Sequence, residues 1–504
     1  MSSNYVDGAF APASTTGNTW TSRSPADRTD VLGEFTEDLD AVDAAVGAAR
    51  ASQARWERLG ADGRATVLRA FRDALWARKA VIARTMAREV GKPLWEAAGE
   101  AGALGSKVDV TLGAGLDLVQ DRRLGDAEAW YDGGYRFRPV GVCAVPGPFN
   151  FPLHLANGHI QAALATGNTV VFKPSEFAPR CAELYMEAAH EAGLPAGVLN
   201  MVQGGPDAGK RLVASRDVDA VLFTGSVRAG IAIRRATVEQ PWKLLALEMG
   251  GKNTAIVLSD ADLDRAAYEI ATGVLLTAGQ RCSGTSRVVC SRDLADPLQD
   301  RLARIFDQVR VGHPLSDDTF MGPLVSEAAL NKFLESDATG VEEGFEPVRR
   351  GGRATVAGEH GPLDGFYVTP ALWRAPLGSL ANGPHGGEEI FGPDMVLIPT
   401  DDDDEAMAAA ANATEFGLAM SIFTRDPARF ESLAFHLRTG ILNFNRGTVG
   451  ASALLPFGGV KNSGNHRPAA ITAAQNCVYP VATLRNPAEL GESEVMARFP
   501  NPRQ

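Results

Sequence analysis

The chain has 504 residues, of which 45% are hydrophobic and 22% charged, ordinary values for a globular protein large enough for more than one domain. Its 49 Lys and Arg against 61 Asp and Glu give a formal net charge of −12, which argues against a nucleic-acid partner. No apolar run approaches the ~18 residues of a membrane helix, and the first residues do not resemble a signal peptide. We therefore expect a cytoplasmic protein with no nucleic-acid or membrane partner.

The predicted elements form a helical region followed by two sets of alternating strands and helices. The first 40 residues are irregular or short-stranded, and residues 42–91 have helical period. Strand–helix–strand spacing beyond residue 140 predicts βαβ units and parallel sheets. The first set has strands at 142–145, 169–172, 198–202 and 220–223, with helices at 182–192 and 208–214. The second set has strands at 254–258, 287–290, 395–398, 421–424 and 441–444.

Three segments need a separate interpretation. Residues 135–140 and 477–482 alternate like the strands of an exposed hairpin. The acidic run at 401–405 precedes an Ala-rich stretch, which predicts a negatively charged first helical turn that interacts favourably with the helix dipole. The fold class predicted overall is α/β, with two parallel-sheet domains and a small β-hairpin.

The five cysteines are odd in number and lack metal-ligand spacing, so we expect reduced thiols and no metal site. Cys143, Cys181, Cys290 and Cys477 lie in apolar or helical contexts that are typical of core packing. Cys282 differs, because it follows Gly279, Gln280 and Arg281 in a polar, Gly-containing segment.

Cys282 and two other residues could together oxidise an aldehyde. A thiol can form a tetrahedral adduct with an aldehyde, and loss of hydride from that adduct leaves a thioester. Glu248 ends an apolar run, where desolvation would raise its pKa and suit it as the base that activates a hydrolytic water. Asn150 follows a predicted strand and can donate its amide to the developing oxyanion, alongside the Cys282 backbone N–H.

These residues lie in segments that, in this order, resemble the NAD(P)-dependent aldehyde dehydrogenase superfamily nearly end to end. The resemblance implies the same three roles for Cys282, Glu248 and Asn150. Each residue alone would more often be a buried apolar side chain, a loop carboxylate or a turn residue. The segments that carry the resemblance are PFNFP at 148–152, FTGS at 223–226, LEMGG at 247–251 and GQRC at 279–282.

Glycines are not spaced as in the common dinucleotide fingerprint, but a different cofactor site is predicted. The segment with Gly225, Ser226 and Gly230 ends a strand and opens a helix, whose N-terminus favours an anion. Lys173, Ser175 and Glu176 directly follow another strand, where a ligand crevice of a parallel sheet lies.

The resemblance implies that this second loop binds a ribose, and the Glu176 charge would favour NAD over NADP. It also implies that Glu389 and Phe391 hold the ribose on the nicotinamide side. Solvated surface loops and a plain strand-to-helix turn are the simpler alternatives for these segments.

The resemblance also implies a domain organisation. Residues 1–125 and 141–249 would form a Rossmann-like NAD-binding domain, and residues 250–445 the catalytic thiol domain. Residues 126–140 and 476–490 would form an oligomerisation arm, giving a homodimer or homotetramer, although a surface hairpin is the alternative. Residues 446–475 would return to the substrate tunnel and the NAD-binding domain.

Within the superfamily, segments 245–251, 277–282 and 456–468 resemble the N-succinylglutamate 5-semialdehyde dehydrogenases of bacterial arginine catabolism. Lys252 and Arg446 depart from the Asn and Lys expected there. A substrate with several carboxylates needs cations, and Arg281, Arg446 and Arg467 are the candidates. Surface solvation or an inter-subunit ion pair is the alternative for these arginines.

Other functions remain open at this point. The chain could oxidise another semialdehyde or aldehydes in general, or it could transfer the acyl group to CoA. A CoA-acylating enzyme does not need a hydrolytic base, so Glu248 argues against it. A non-catalytic nucleotide-binding or structural protein is the alternative from a different class, because a fold alone does not secure a function.

Overall fold

The computed structural model describes residues 4–11, 17–124 and 132–485. Parts of the predicted arm, residues 126–131 and 486–490, lie outside this range. The α-helices are α1 (Leu39–Arg58), α2 (Gly60–Ala77), α3 (Lys79–Val90), α4 (Leu94–Val110), α5 (His154–Ala165), α6 (Pro179–Glu191), α7 (Pro206–Ala214), α8 (Val227–Ala236), α9 (Leu263–Leu275), α10 (Ala295–Gln308), α11 (Glu327–Glu342), α12 (Pro384–Gly387), α13 (Asp404–Asn412) and α14 (Pro427–Ala434).

Short strands are numerous, and most of the long ones lie in two sheets. The strands are β1 (Tyr5–Val6), β2 (Ala9–Phe10), β3 (Thr19–Arg23), β4 (Val31–Thr36), β5 (Arg122–Leu124), β6 (Asp132–Pro139), β7 (Val142–Pro146), β8 (Thr169–Lys173), β9 (Leu199–Met201), β10 (Ala220–Thr224), β11 (Leu244–Glu248), β12 (Asn253–Val257), β13 (Thr285–Ser291), β14 (Glu346–Arg349), β15 (Gly352–Arg353), β16 (Ala357–Gly358), β17 (Gly361–Pro362), β18 (Val368–Thr369), β19 (Ala371–Arg374), β20 (Asp394–Thr400), β21 (Phe416–Gly417), β22 (Ala419–Phe423), β23 (Ile441–Phe444), β24 (Pro456–Phe457), β25 (Val460–Lys461), β26 (Ala469–Ala470) and β27 (Val478–Arg485).

The first sheet has the order β11-β10-β7-β8-β9-β1-β2, and its five strands from β11 to β9 are parallel. Successive side chains of a strand point to opposite faces, and both faces are covered here. Cys143 and Val145 of β7 join one apolar core, whereas Val142 and Ala144 join another. Because both faces of the sheet are buried, the sequences of these strands are continuous apolar runs and do not alternate between apolar and polar residues.

The second sheet has the order β14-β19-β20-β13-β12-β22-β23 and is parallel except for the edge pair β14–β19. Its core is a separate cluster of buried residues. The prediction of two parallel-sheet α/β units is therefore confirmed. The exact domain boundaries stay a prediction.

The third sheet contains the predicted hairpin segments. β27 pairs antiparallel with β6 over eight residues, from Val478 opposite Pro139 to Arg485 opposite Asp132. β5 pairs with the other edge of β6, so this sheet has the order β27-β6-β5. The side chains of Tyr479 and Leu484 on β27 are 49% and 78% exposed.

The acidic run at 401–405 supplies the predicted negatively charged first turn, since Asp404 and Glu405 lie in the first turn of α13. Asp403 is the N-cap of α13, and its carboxylate accepts the backbone N–H groups of Glu405 and Ala406. Asp401 and Asp402 precede the helix, where arginine side chains from elsewhere in the chain offset their charge. Across residues 4–11, 17–124 and 132–485, no helix combines the length and apolar character needed to cross a bilayer.

Candidate active site

The pairing of strands in the first sheet places Glu248 at the carboxyl edge of that sheet. Thr224 ends β10 opposite Glu248, the last residue of β11. The Gly225 backbone N–H then donates to the Glu248 carbonyl oxygen at 3.0 Å. The carboxyl ends of two adjacent parallel strands thus meet at one edge, which is where ligands bind in open α/β sheets.

The Glu248 side chain is 3% exposed, and its Oε2 has no hydrogen-bond partner among the described residues. Burial raises its pKa well above 4.5, although the backbone N–H of Gly459 opposes this shift. Gly458 packs against the carboxyl so closely that a Cβ there would lie 2.6 Å from Oε1. A desolvated carboxyl group of this kind stays protonated up to a higher pH than an exposed one, and it is a stronger base once ionised.

The Cys282 loop is attached to the second sheet. Asn253, the first residue of β12, donates its side-chain amide to the carbonyl oxygens of Cys282 at 2.7 Å and Gly284 at 2.9 Å. A Cβ at Gly251 would lie 2.3 Å from the Cys282 carbonyl oxygen, so the Gly250-Gly251 pair after Glu248 permits this close approach. Cys282 is partly exposed, whereas the other four cysteines are buried.

The electrostatics of Cys282 differ from those of an activated thiol. Burial, together with the negative charges of Glu389 and Glu248, raises its pKa to about 12, against a backbone N–H from Ser283. The thiolate form of Cys282 is therefore disfavoured in this structure. The physical reason is that the loop is poorly solvated and faces two carboxyl groups.

Asn150 lies within reach of the same loop. Its side-chain amide donates to the Gln280 carbonyl oxygen at 2.8 Å, and the residue is 4% exposed. The amide has a second N–H, which can serve an oxygen near Cys282. The structure thus brings Asn150, Cys282 and Glu248 together from separate parts of the chain.

Glu96 was missed by sequence reasoning, yet it supports the Cys282 loop. Thr277 has a positive φ of 55°, a strained conformation for a β-branched residue. Glu96 holds it there by accepting its backbone N–H at 3.0 Å and its hydroxyl at 2.8 Å. Glu96 also pairs with Arg281. No local signal could have revealed a partner 181 residues away.

The predicted ribose loop lies at the carboxyl end of β8. Lys173 is almost fully buried, and its ammonium lies 3.4 Å from a Glu176 carboxylate oxygen. Burial lowers the Lys173 pKa. Ser175 is buried, and its hydroxyl accepts the Phe177 backbone N–H at 3.3 Å. The Trp20 indole donates to the Glu176 carbonyl oxygen at 3.2 Å, which attaches the β3–β4 hairpin to this loop.

The strand-to-helix turn after β10 has the predicted form. Ser226 is the N-cap of α8, and its hydroxyl accepts the Ala229 backbone N–H at 3.2 Å. Gly225 precedes it at the start of the turn. Gly230 faces inward, where a Cβ would lie 2.4 Å from the Met249 sulfur. In this structure Gly230 therefore allows α8 to pack closely behind Glu248.

Glu389 and Phe391 reach the site from the second sheet. Glu389 accepts the Gly251 backbone N–H at 2.9 Å. Burial raises its pKa to about 7. Phe149, next to Asn150, contacts both Phe391 and Phe177 with ring centroids 5.8 Å apart in each pair. The ribose loop, the Asn150 loop and the Glu389 segment thus converge on one crevice, and their donors, carboxylates and aromatic rings fit a dinucleotide.

The three arginines proposed for substrate binding lie in different settings. Arg281 is mostly buried and paired with Glu96, and its guanidinium lies 4.9 Å from the Phe151 ring centroid. Arg446 and Arg467 are both exposed. In the described part of the chain, no cluster of three or more His, Cys, Asp or Glu residues could hold a metal ion.

The fold and the site place this protein among the two-domain α/β oxidoreductases. The sequence profile of the Aldehyde dehydrogenase family matches residues 6–481, and the chain belongs to this family. It is an enzyme that uses NAD(P) to oxidise an aldehyde.

Relatives of this chain cover nearly its whole length. N-succinylglutamate 5-semialdehyde dehydrogenase 1 of Caulobacter vibrioides is 41% identical over 473 residues, which are 93% of this chain and 96% of that protein. The NAD-dependent aldehyde dehydrogenase of Sinorhizobium meliloti matches with a TM-score of 0.90 and 31% identity, over 97% of this chain and 96% of that one. The gamma-glutamyl-gamma-aminobutyraldehyde dehydrogenase of Burkholderia cenocepacia matches with a TM-score of 0.89 and 33% identity, over 96% of each chain.

Proposed function

We propose that the enzyme oxidises N-succinylglutamate 5-semialdehyde to N-succinylglutamate, with NAD as its preferred cofactor. The similarity to the Caulobacter vibrioides dehydrogenase named for this substrate, at 41% identity, supports the substrate. Within this similarity, the segments around Cys282 and at 456–468 carry the resemblance on which the substrate assignment rests. The position of Glu176 beside Lys173 supports NAD, because a carboxylate there would repel a 2′-phosphate.

The proposed mechanism begins at the Cys282 sulfur. It attacks the aldehyde carbon, and the Asn150 amide donates a hydrogen bond to the oxygen that becomes negative. Bound NAD supplies the acceptor for the hydride. Loss of hydride from the carbon attached to Cys282 leaves a thioester on the sulfur. The thiol proton passes to water as the sulfur attacks, because the thiolate is the nucleophile, and the raised pKa makes this proton loss costly.

Hydrolysis of the thioester is assigned to Glu248. Its carboxylate removes a proton from a water molecule as that water attacks the thioester carbon, and the Cys282 sulfur leaves. One observation carries this assignment. The Glu248 carboxyl is buried beside the thiol loop, with one oxygen that has no hydrogen-bond partner among the described residues. Such a group is available for an incoming water.

The test is a screen of NADH release with aldehydes that bear different numbers of carboxylates. We expect a higher kcat/KM for N-succinylglutamate 5-semialdehyde than for an uncharged aliphatic aldehyde of similar length. A uniform preference for uncharged aldehydes would leave the family assignment intact and end the substrate proposal. Arg446 and Arg467 remain candidates for contacts at the rim, where replacement by Ala should change kcat/KM only by a small factor.

The product distinguishes hydrolysis from acyl transfer. We expect free N-succinylglutamate in the absence of CoA and no dependence of the steady-state rate on CoA. An acyl-CoA product would instead support a CoA-acylating enzyme. No turnover with any aldehyde, despite NAD binding, would support a non-catalytic nucleotide-binding protein.

We also propose a homodimer or homotetramer formed through the β27-β6-β5 sheet. β27 lies at the edge of this sheet and exposes Tyr479 and Leu484, and an edge strand with apolar side chains favours pairing with another chain. Light scattering of the unmodified protein should give a multiple of the chain mass. Leu484→Glu should shift this mass downward, whereas Leu377→Glu, at an exposed site on another surface, should not.

A further inference from the structure

Lys107 is a buried cation for which the proposed mechanism has no role. It lies in the last turn of α4, and the residue is only 4% exposed. Its ammonium has no hydrogen bond or ion pair with the described residues. Burial lowers the Lys107 pKa to about 8, so the ammonium stays mostly charged at neutral pH while it is poorly solvated. Such a group is costly unless an anion accompanies it.

The acidic side chains of the same helix pair with other cations, Glu96 with Arg281, Glu100 with Lys92 and Asp109 with Arg72. Glu100 lies seven residues before Lys107 on α4, and its carboxylate forms a 2.5 Å ion pair with Lys92, with both side chains essentially inaccessible. Its other oxygen accepts the backbone N–H groups of His154 at 3.2 Å and Leu153 at 3.4 Å. The charge of Glu100 is therefore already satisfied at the start of α5.

Helix α5 connects Lys107 to the site. It begins at His154, whose ring contacts that of Phe151 with centroids 6.3 Å apart. Phe151 directly follows Asn150 and lies under the Arg281 guanidinium. Gly158 follows His154 by one helical turn, about 6 Å along the axis. A Cβ at Gly158 would have Lys107 Cε as its nearest neighbour, at 3.5 Å.

Neither imidazole on α5 is a second cation beside Lys107. Burial, with a smaller contribution from the nearby Lys107 charge, lowers the His159 pKa to about 4. Burial also lowers the His154 pKa, with Lys107 again contributing in the same direction. Both rings are therefore neutral at pH 7, and neither competes with Lys107 for an anion.

We propose that the Lys107 ammonium binds a carboxylate of the aldehyde substrate. The carboxylate would lie farther from Cys282 than the contact between Phe151 and His154. This inference rests on the proposed function, and it assigns a specificity-determining residue to the same site. Among the three arginines considered above, Arg281 is neutralised by Glu96, and the other two are exposed. Lys107 is buried and has no such partner, so a substrate carboxylate gains most from it.

The test compares Lys107→Met and Lys107→Arg with Lys79→Met as a matched control. Lys79 contacts α4 at Gly102, but its side chain is exposed. Lys107→Met should lower kcat/KM for N-succinylglutamate 5-semialdehyde by roughly tenfold or more, chiefly through KM. It should leave kcat/KM for an uncharged aliphatic aldehyde unchanged. Lys107→Arg should have a kcat/KM for N-succinylglutamate 5-semialdehyde between those of Lys107→Met and the unmodified enzyme. Lys79→Met should have the same kcat/KM as the unmodified enzyme.

Two further measurements separate the possible outcomes. Glutarate should inhibit oxidation of the uncharged aldehyde competitively in the unmodified enzyme and much less in Lys107→Met. Equal inhibition in both, or none in either, would overturn the role of Lys107 whatever the true substrate is. Lys107-dependent inhibition in an enzyme that rejects N-succinylglutamate 5-semialdehyde would end the substrate proposal and retain the carboxylate site.

Thermal stability tests whether the role of Lys107 is purely structural. Because an unpaired buried ammonium is unfavourable, Lys107→Met should keep or raise Tm. A structural lysine that stabilises the end of α4 would instead lower Tm on replacement. A fall in Tm with equal losses for charged and uncharged aldehydes would therefore contradict substrate binding by Lys107.

Discussion

Asn150 donates its side-chain amide to the carbonyl oxygen of Gln280 at 2.8 Å, two residues before Cys282. This bond crosses from the loop after the first sheet's β7 to the loop that enters β13 in the second sheet. The candidate oxyanion donor thus also fixes the position of the candidate nucleophile relative to it. Preorganisation of this kind lets a donor act without rearrangement during the reaction.

Asn150→Ala is expected to lower kcat by roughly 10²–10³-fold, because one donor to the developing negative charge is lost. KM should change less. Asn157→Ala is the matched control, since Asn157 is also a buried amide that donates to a backbone carbonyl, Leu104 at 3.0 Å. Steady-state kinetics and Tm would be measured for both. An equal loss of kcat in the two variants would indicate general destabilisation instead.

Replacement of the thiol and replacement of the carboxylate are expected to block different stages of the reaction. Cys282→Ala should abolish NADH formation, whereas Glu248→Gln should retain a single-turnover burst and lose steady-state turnover. Rapid-mixing absorbance measurements would separate the two phases. Cys290→Ala, in the core of the second sheet, should keep both phases. A normal steady-state rate in Glu248→Gln would rule out its assignment as the deacylating base.

Cofactor preference is expected to depend on Glu176. The unmodified enzyme should use NAD far better than NADP, and Glu176→Gln should narrow the gap by removing the charge that repels a 2′-phosphate. The ratio of kcat/KM for the two cofactors is the measurement. Glu187→Gln removes the same charge from α6 at a site paired with Arg78 and Arg180, and it should leave the ratio unchanged. Equal use of both cofactors by the unmodified enzyme would refute the repulsion.

Alkylation of Cys282 by iodoacetamide, without cofactor, is expected to accelerate steadily as pH rises from 7 to 9. Burial, Glu389 and Glu248 raise the thiol pKa to about 12, so the thiolate fraction increases over this whole range. Glu389 has a pKa of about 7 and carries its charge only above that value. Glu389→Gln should therefore speed alkylation at pH 8–9 and change it little at pH 6.

Mass spectrometry of the labelled peptide would give these rates. Lys332→Met offers a comparison, because the Lys332 ammonium donates to the backbone carbonyl of Glu389 and its charge favours the ionised carboxylate. Its removal should raise the Glu389 pKa, so any faster alkylation should be confined to pH values near 7 and be absent at pH 9. A pH-independent difference between Glu389→Gln and the unmodified protein would contradict electrostatic control of the thiol.

Local sequence signals predicted the fold, and they pointed to three residues that the structure brings close together. Buried parallel strands such as β7 read as short apolar runs bounded by Gly and Pro, so their positions were predicted to within one or two residues. Asn150 follows the strand predicted at 142–145, whereas Glu248 ends an apolar run that forms β11, a strand that was not predicted. The strand order β11-β10-β7 places both residues at the same edge of the sheet. These features follow from short stretches of sequence and from topology.

The remaining features depend on contacts between distant residues. Glu96 reaches Thr277 across 181 residues, and Lys107 meets Gly158 only because α4 and α5 pack together. The raised pKa of Cys282 could not be predicted either, since a polar, Gly-containing sequence does not reveal how completely a loop is desolvated. Three-dimensional packing, rather than residue type, determines burial and charge compensation at such positions.

Gly458 covers Glu248, and the Met249 N–H donates to the Ser463 carbonyl oxygen. These late contacts have a consequence for biosynthesis. On the ribosome, residues 1–300 already contain the thiol, the carboxylate and the amide, but not the segment that encloses them. The site can therefore close only after residue 464 has left the exit tunnel. Until then the segment that desolvates Glu248 is missing, so we expect the high pKa of this carboxyl group to develop only at the end of folding.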